Sequence, residues 1–198
     1  MARVSFDYAD FLTAARDLAA ESGPAAVTVL SVTERLRAPS GSFYYRFVSR
    51  DVLLARLWLA TAEAFQAGFI AAIDRGEGLA AALHTPAWVR AHLDDARLFL
   101  LYHRDDFVQG GWPQALKAGV SRQARRVDAC YLRFARHTLR GVDSERLRVA
   151  RFVLADAPRA AVGPHLRRGE PPPAIVDAMV EMTYRAVVKK YRRTSKGD

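Results

Sequence analysis

The sequence predicts an all-α protein, on three observations. Apolar residues recur at helical spacing along most of the chain, and no segment alternates polar and apolar residues as a half-buried strand does. Breakers divide the chain into helix-length pieces: Gly23-Pro24, Gly110-Gly111-Trp112-Pro113 and Arg168-Gly169-Glu170-Pro171-Pro172-Pro173. Finally, 51% of the 198 residues are hydrophobic and 26% charged, a globular composition with enough apolar surface for a real core.

Asp7 is placed to cap the first helix, with Asp10 three residues on as in a capping box. Phe6 and Phe11 flank that start as a hydrophobic staple. The helix runs to about Ser22, and Gly23-Pro24 stops it. Thr28 is a good N-cap for a second helix through about Leu36, with Val29, Val32 and Leu36 inward. The ten-mer APSGSFYYRF, residues 38–47, reads as a two-turn helix. Pro39 suits its first turn, where a missing N–H costs nothing. Phe43 and Phe47 lie four apart and share one face, leaving Ser40, Ser42, Tyr44, Tyr45 and Arg46 mostly off it. A long helix, from about Ser49 to Arg75, is apolar nearly all round and should be buried on several sides. Further helices are expected at about 79–92, 95–108, 114–140, 143–163 and 174–192. Helix 114–140 puts Val120, Val127, Tyr131 and Phe134 on one side and its arginines, Arg122 to Arg140, on the other, so those arginines read as a solvated face. The domain border falls near residue 48: residues 1–48 form one part and 49–198 the other.

The net charge is +9 and the pI about 10.2, a balance suited to nucleic acid, an anionic membrane surface or acidic ligands. The charge is uneven. Residues 1–56 carry seven basic and six acidic residues, a balance of +1; residues 117–151 carry ten and three, a balance of +7. DNA binding by the N-terminal part would therefore use placed contacts. Cys130 is the single cysteine, which excludes an internal disulfide and fits a reducing compartment. With neither a signal-peptide pattern nor an uncharged apolar run of about 18 residues, the expected location is cytoplasmic, with no membrane partner. No G-x-S-x-G, H-E-x-x-H or phosphate-binding glycine loop is present. The five histidines show no firm ligand spacing, so no metal or other cofactor is expected.

Two short helices, a tight turn at Arg37-Ala38 and a polar-faced second helix make a helix-turn-helix. Here the residues resemble the TetR/AcrR family of transcriptional regulators. From Phe11 to Leu57, Thr28, Val32, Gly41, Ser42, Phe43, Tyr44, Phe47, Arg50, Asp51 and Leu53 fall where that family's "T…I…G-S-L-Y-x-H-F-x-x-K-E-x-L" pattern places such residues. Three departures stand out. Leu36-Arg37-Ala38-Pro39 replaces the usual Ala-Gly-Val-Ser turn, position 40 is Ser where Lys or Arg is frequent, and position 46 is Arg where His is frequent.

The resemblance implies a homodimeric, ligand-responsive regulator with an N-terminal three-helix DNA-binding domain and a C-terminal helical domain for effector and dimer. Ser40 and Ser42 are short enough to approach base edges. Tyr44, Arg46 and Arg50 suit phosphates, as does Thr28 at a helix N-terminus. Pro39, Gly41 and Tyr45 complete the candidate DNA-binding set. The family's ligand cavity makes Phe65, Phe69, Trp88, Phe99, Tyr102, Tyr131 and Phe134 candidates for its lining, with Tyr102 and His103 as polar anchors; each taken alone is a core residue. Small residues in 153–163 and the apolar positions Ile175, Met179, Met182 and Ala186 suggest dimerisation through the last two helices. The expected partners are thus a double-stranded DNA operator, a small apolar or amphipathic effector and a second copy of the chain. The alternatives are a DNA-binding or nucleoid-associated protein of this fold without an inducer and, with no catalytic constellation in support, an all-helical enzyme.

Overall fold

The computed structural model describes residues 6–102, 104–107 and 113–194, and among them no strand is present. The elements are α1 (Tyr8–Ser22), a 3₁₀ turn (Pro24–Ala26), α2 (Val29–Leu36), α3 (Ser40–Tyr44), α4 (Arg50–Asp74), α5 (Gly78–Ala91), α6 (Leu93–Leu101), α7 (Arg104–Phe107), α8 (Gln114–Thr138), α9 (Ser144–Arg151), one π turn (Phe152–Asp156), α10 (Ala157–Arg168) and α11 (Ile175–Thr194).

They pack as two compact units, one of Met1–Ala62 with Asp94–Val120, the other of Glu63–Leu93 with Ser121–Asp198. This division does not follow the sequence border near residue 48, because α4 runs without a break from the first unit into the second. Residues 94–120 pack with the helix-turn-helix rather than with the remaining C-terminal chain.

In the first unit, Phe11, Phe43 and Phe47 meet in one aromatic knot, with centroid separations of 5.6–6.0 Å. Leu53, Leu54, Leu98, Phe107 and Leu116 are buried with them. Tyr102 lies here too: its hydroxyl abuts Gly23, where a Cβ would come within 3.3 Å, and its ring meets Phe107 edge-on at 6.3 Å. Gly23 has φ of +83°, so the turn between α1 and α2 needs glycine for its backbone as well as for this contact.

In the second unit, Phe69, Ile73, Cys130, Phe134, Leu139, Leu154 and Val180 are buried together. Phe134 lies tilted against Tyr184 at 6.0 Å, and both side chains crowd Gly78, where a Cβ would clash with the Tyr184 hydroxyl. Arg90 clamps α5 to α11 through both Asp177 oxygens, at 2.9 and 2.7 Å. The arginines of α8 from Arg122 to Arg136 are exposed, as the helical wheel requires. α9, the π turn and α10 together extend five residues beyond the 143–163 expected from sequence, to Arg168. The π turn stands immediately before Pro158. Ala157 donates its N–H to Phe152 O, five residues back, which widens the turn ahead of a residue that has no N–H to give. In the stretch expected as one helix at about 95–108, the described residues form α6, which ends at Leu101, and α7, Arg104–Phe107.

Candidate nucleic-acid interface

The helix-turn-helix is set by short-range contacts. Asp7 and Asp10 form a reciprocal capping box at the start of α1: the Asp7 N–H donates to Asp10 at 2.7 Å and the Asp10 N–H to Asp7 at 3.0 Å. At α2, Thr28 accepts from the Ser31 N–H at 3.0 Å while Ser31 accepts from the Thr28 N–H at 2.8 Å. A fork-to-fork pair, Arg35 to Glu21 at 2.7 and 2.6 Å, ties α2 to the end of α1. That pair holds the Glu21 carboxyl below its ordinary range. Between α2 and α3, Arg37 takes a left-handed conformation, φ 53° and ψ 39°, where the family's pattern has glycine. Its N–H closes the helix on Glu34 O at 3.0 Å.

The reader helix α3 is shorter than expected, five residues instead of two full turns. Pro39 is its N-cap rather than a first-turn residue, since its ψ of 141° is extended. The Pro39 carbonyl accepts from the Ser42 N–H at 2.9 Å and from the Ser42 hydroxyl at 2.6 Å. The predicted division of faces holds in part, since Ser42 and Arg46 are part-buried. Phe43 and Phe47 are buried, while Ser40, Gly41, Tyr44 and Tyr45 are exposed, Tyr45 to 86%. Gly41 faces open space: a Cβ built there meets nothing within 4 Å. Packing inside the chain therefore does not require glycine at this position. Thr28 and Pro39 are exposed on the same two-helix unit.

Two of the arginines are placed differently from a free phosphate-seeking side chain. Arg46 folds back, its guanidinium 5.7 Å from the Phe11 ring centre and 5.6 Å from that of Tyr45, and donates to Ser42 O at 3.2 Å. Arg50 is a clasp. Its Nε donates to Val27 O, one Nη donates to Pro24 O at 2.9 Å, and the other lies 3.4 Å from Asp51. The side chain thereby pins the start of α4 to the turn that precedes the Thr28 cap. Sequence pattern alone hides this, because the accepting groups are backbone carbonyls of residues 24 and 27. Val48, 82% exposed directly after the buried Phe47, is an apolar surface residue next to α3 that the sequence reading did not single out.

Residues 11–57, the span from the aromatic knot to the first turns of α4, match the family of bacterial regulatory proteins described as the tetR family. The match covers the N-terminal segment alone, the span that holds α2 and α3. The full chain is similar in fold to a ketosteroid transcriptional regulator, KstR2, of Mycobacterium tuberculosis, with 15% identity over 95% of this chain and 96% of that one and a TM-score of 0.60. No curated protein matches the sequence. Within the matched span, α2 and α3 are the two helices of the helix-turn-helix.

The candidate effector residues divide between the two units. Phe65, Phe69, Trp88, Tyr131 and Phe134 belong to the second unit; Phe99 and Tyr102 belong to the first, where Phe99 meets Trp58 at 5.9 Å. His103 lies outside the described residues. Within the second unit Phe65 packs edge-on to Trp88 at 5.1 Å and also against His84, whose Nε2 is 2.7 Å from Phe65 O. The His84 ring fills the space over Gly68, where a Cβ would come within 2.4 Å of it. Burial pushes the His84 pKa down. Phe69 meets Tyr131 at 6.0 Å. Cys130 is fully buried, and burial raises its thiol pKa, so it packs as a small apolar residue. Among the described residues, no helix is long and apolar enough to cross a membrane.

Proposed function

We propose that the protein is a ligand-responsive repressor that binds its operator as a homodimer and is released by a small apolar or amphipathic molecule. The observation that carries the DNA-reading part is α3 itself. Its inner face is locked by Phe43 and Phe47, while Ser40, Tyr44, Tyr45 and an unobstructed Gly41 are exposed. Ser40, Ser42, Tyr44 and Tyr45 are the contacts to DNA. Thr28 meets phosphate at the α2 N-terminus. Arg50 acts by positioning, since its donors already serve Val27 and Pro24.

The dimer reading rests on an apolar strip. Ile175, Met179 and Met182 recur on α11 at helical spacing and are 61%, 49% and 61% exposed, with Phe152 at 45% on the π turn. A second copy would cover them. The recognition helices of a two-fold dimer must stand about 34–36 Å apart, or a multiple, to enter successive major grooves. A ligand held in the second unit among Phe65, Phe69, Trp88, Tyr131 and Phe134 would act through α4, which also carries Arg50. A tenfold loss of operator affinity needs a coupling of only about 1.4 kcal/mol. The test is a gel shift on the DNA flanking the protein's own gene, repeated with metabolite extracts. Binding that an extract relieves supports the proposal. Binding that no extract alters favours a DNA-binding protein of this fold without an inducer.

A further inference from the structure

A groove of about 540 Å³ opens between α8 and α9 in the second unit. Asp128, Tyr131 and Leu132 line it from α8, at positions i, i+3 and i+4. Ser144, Leu147, Arg148 and Arg151 line it from α9. Its volume lies in the range of small-molecule sites, about 300–1,000 Å³. Two leucines and one aromatic ring make the lining largely apolar, with the charges set among them. We infer that this groove binds a small amphipathic anion, an apolar chain ending in a carboxylate or phosphate.

The donors left open select that class. Arg148 and Arg151 line the groove from α9 and Asp128 from α8, and the Asp156 carboxylate also acts on Tyr131, so donor geometry rather than net charge favours an anion. Arg151 stands 5.4 Å from the Tyr131 ring centre and 3.6 Å from Asp128, with both side chains of that ion pair 61% exposed. An exposed pair of that length contributes little, about 0–1 kcal/mol, so the Arg151 donors can turn to an incoming anion at small cost. Arg148 makes one long contact, 3.4 Å to Ser144 O, which leaves most of its planar fork for a two-oxygen group. Leu132 is 40% exposed, and an acyl chain lying along it and Leu147 would take that surface out of water. Burial pushes the Tyr131 phenol up to about 12, so its hydroxyl keeps its proton and serves as a donor. A cation would meet Asp128 but also both arginines.

None of the groove's lining residues belongs to α11, and its occupancy can be measured without DNA. The probes are decanoate below its micellar concentration, decanol, decyltrimethylammonium and vesicles containing phosphatidylglycerol, each titrated into the full-length protein by calorimetry. Decanoate should bind at least tenfold more tightly than decanol and the cation. Arg148→Ala/Arg151→Ala should lose that preference by at least tenfold, and Leu132→Ser on its own should weaken decanoate binding by a similar factor; all three side chains are surface residues, and circular dichroism checks that each variant stays folded. Equal binding of decanoate and decanol overturns the inference. So does decanoate binding that both variants retain, binding to vesicles without binding to decanoate, or no binding at all. Tyr131 is shared with the effector set proposed above, but operator binding is tested separately on DNA and does not depend on these outcomes.

Discussion

Gly41→Ala separates what α3 needs for folding from what it needs for recognition. Glycine inside a helix is less stable than alanine by about 0.5–1 kcal/mol, because it loses more backbone freedom on folding. A methyl group at position 41 would meet nothing within 4 Å, and Gly41 is not among the residues with positive φ. Nothing in the folded chain opposes the gain. Because Gly41 lies in the first turn of a five-residue helix, the gain should be at the low end, about 0.5 kcal/mol. For a chain of this size that is a rise in Tm of about 1–2 °C, with a matching shift of the urea midpoint. DNA binding should move the other way. A methyl group added to the outer face of α3 holds the helix off the groove, and a tenfold loss of affinity, about 1.4 kcal/mol, is expected. The assays are urea unfolding and fluorescence anisotropy on an operator selected from random duplexes. Destabilisation would refute the packing argument. A stabilised variant with unchanged affinity would refute the claim that DNA approaches closely at residue 41.

Arg50→Ala should cost about 1–3 kcal/mol of stability, because Val27 O loses a charged donor in a part-buried setting. As a positioning residue it should weaken DNA binding while leaving the slope of log affinity against log salt unchanged; a slope reduced by about one would instead mark a phosphate contact. Met179→Asp/Met182→Asp should yield a folded monomer in sedimentation, and a dimer that survives both charges would place the interface elsewhere. Stability should fall as pH drops below about 6.5, because the unfolded chain protonates its His84 there while the folded state, with its depressed pKa, resists the proton. His84→Gln should flatten urea midpoints measured between pH 7 and 5; the same slope in the variant would assign the effect to another group.

The parts that were legible in the sequence are those set by neighbours along the chain. The Asp7–Asp10 capping box spans three residues, Thr28 is marked as a cap by its residue type, and the Phe43–Phe47 face spans four, so local pattern locates them; that Ser31 completes the Thr28 cap shows only in the structure. Contacts made at a distance were hidden. Arg50 reads as a cation available to DNA until its partners, the carbonyls of Pro24 and Val27, are seen to lie beside it. Tyr102 and Phe99 read as part of an aromatic pocket, yet they pack in the unit of the helix-turn-helix, because which aromatics share a core depends on how α6 returns to α1 and α4. The α8–α9 groove was missed for the same reason. The arginines of 117–151 form a charge run in sequence, and only the pairing of two helices brings Arg148 and Arg151 beside Leu132 and Tyr131.

The central claim is that the outer side of α3 reads duplex DNA. The direct measurement is selection of binding sites from random duplexes with the purified protein, alongside a Ser40→Ala/Ser42→Ala/Tyr45→Ala variant whose stability matches the parent. The account predicts enrichment of a two-fold symmetric sequence whose half-sites lie one helical turn, about 10–10.5 base pairs, or a multiple apart, and loss of that preference in the variant. Enrichment of the same sequence by both proteins, or of none by the parent, would contradict it.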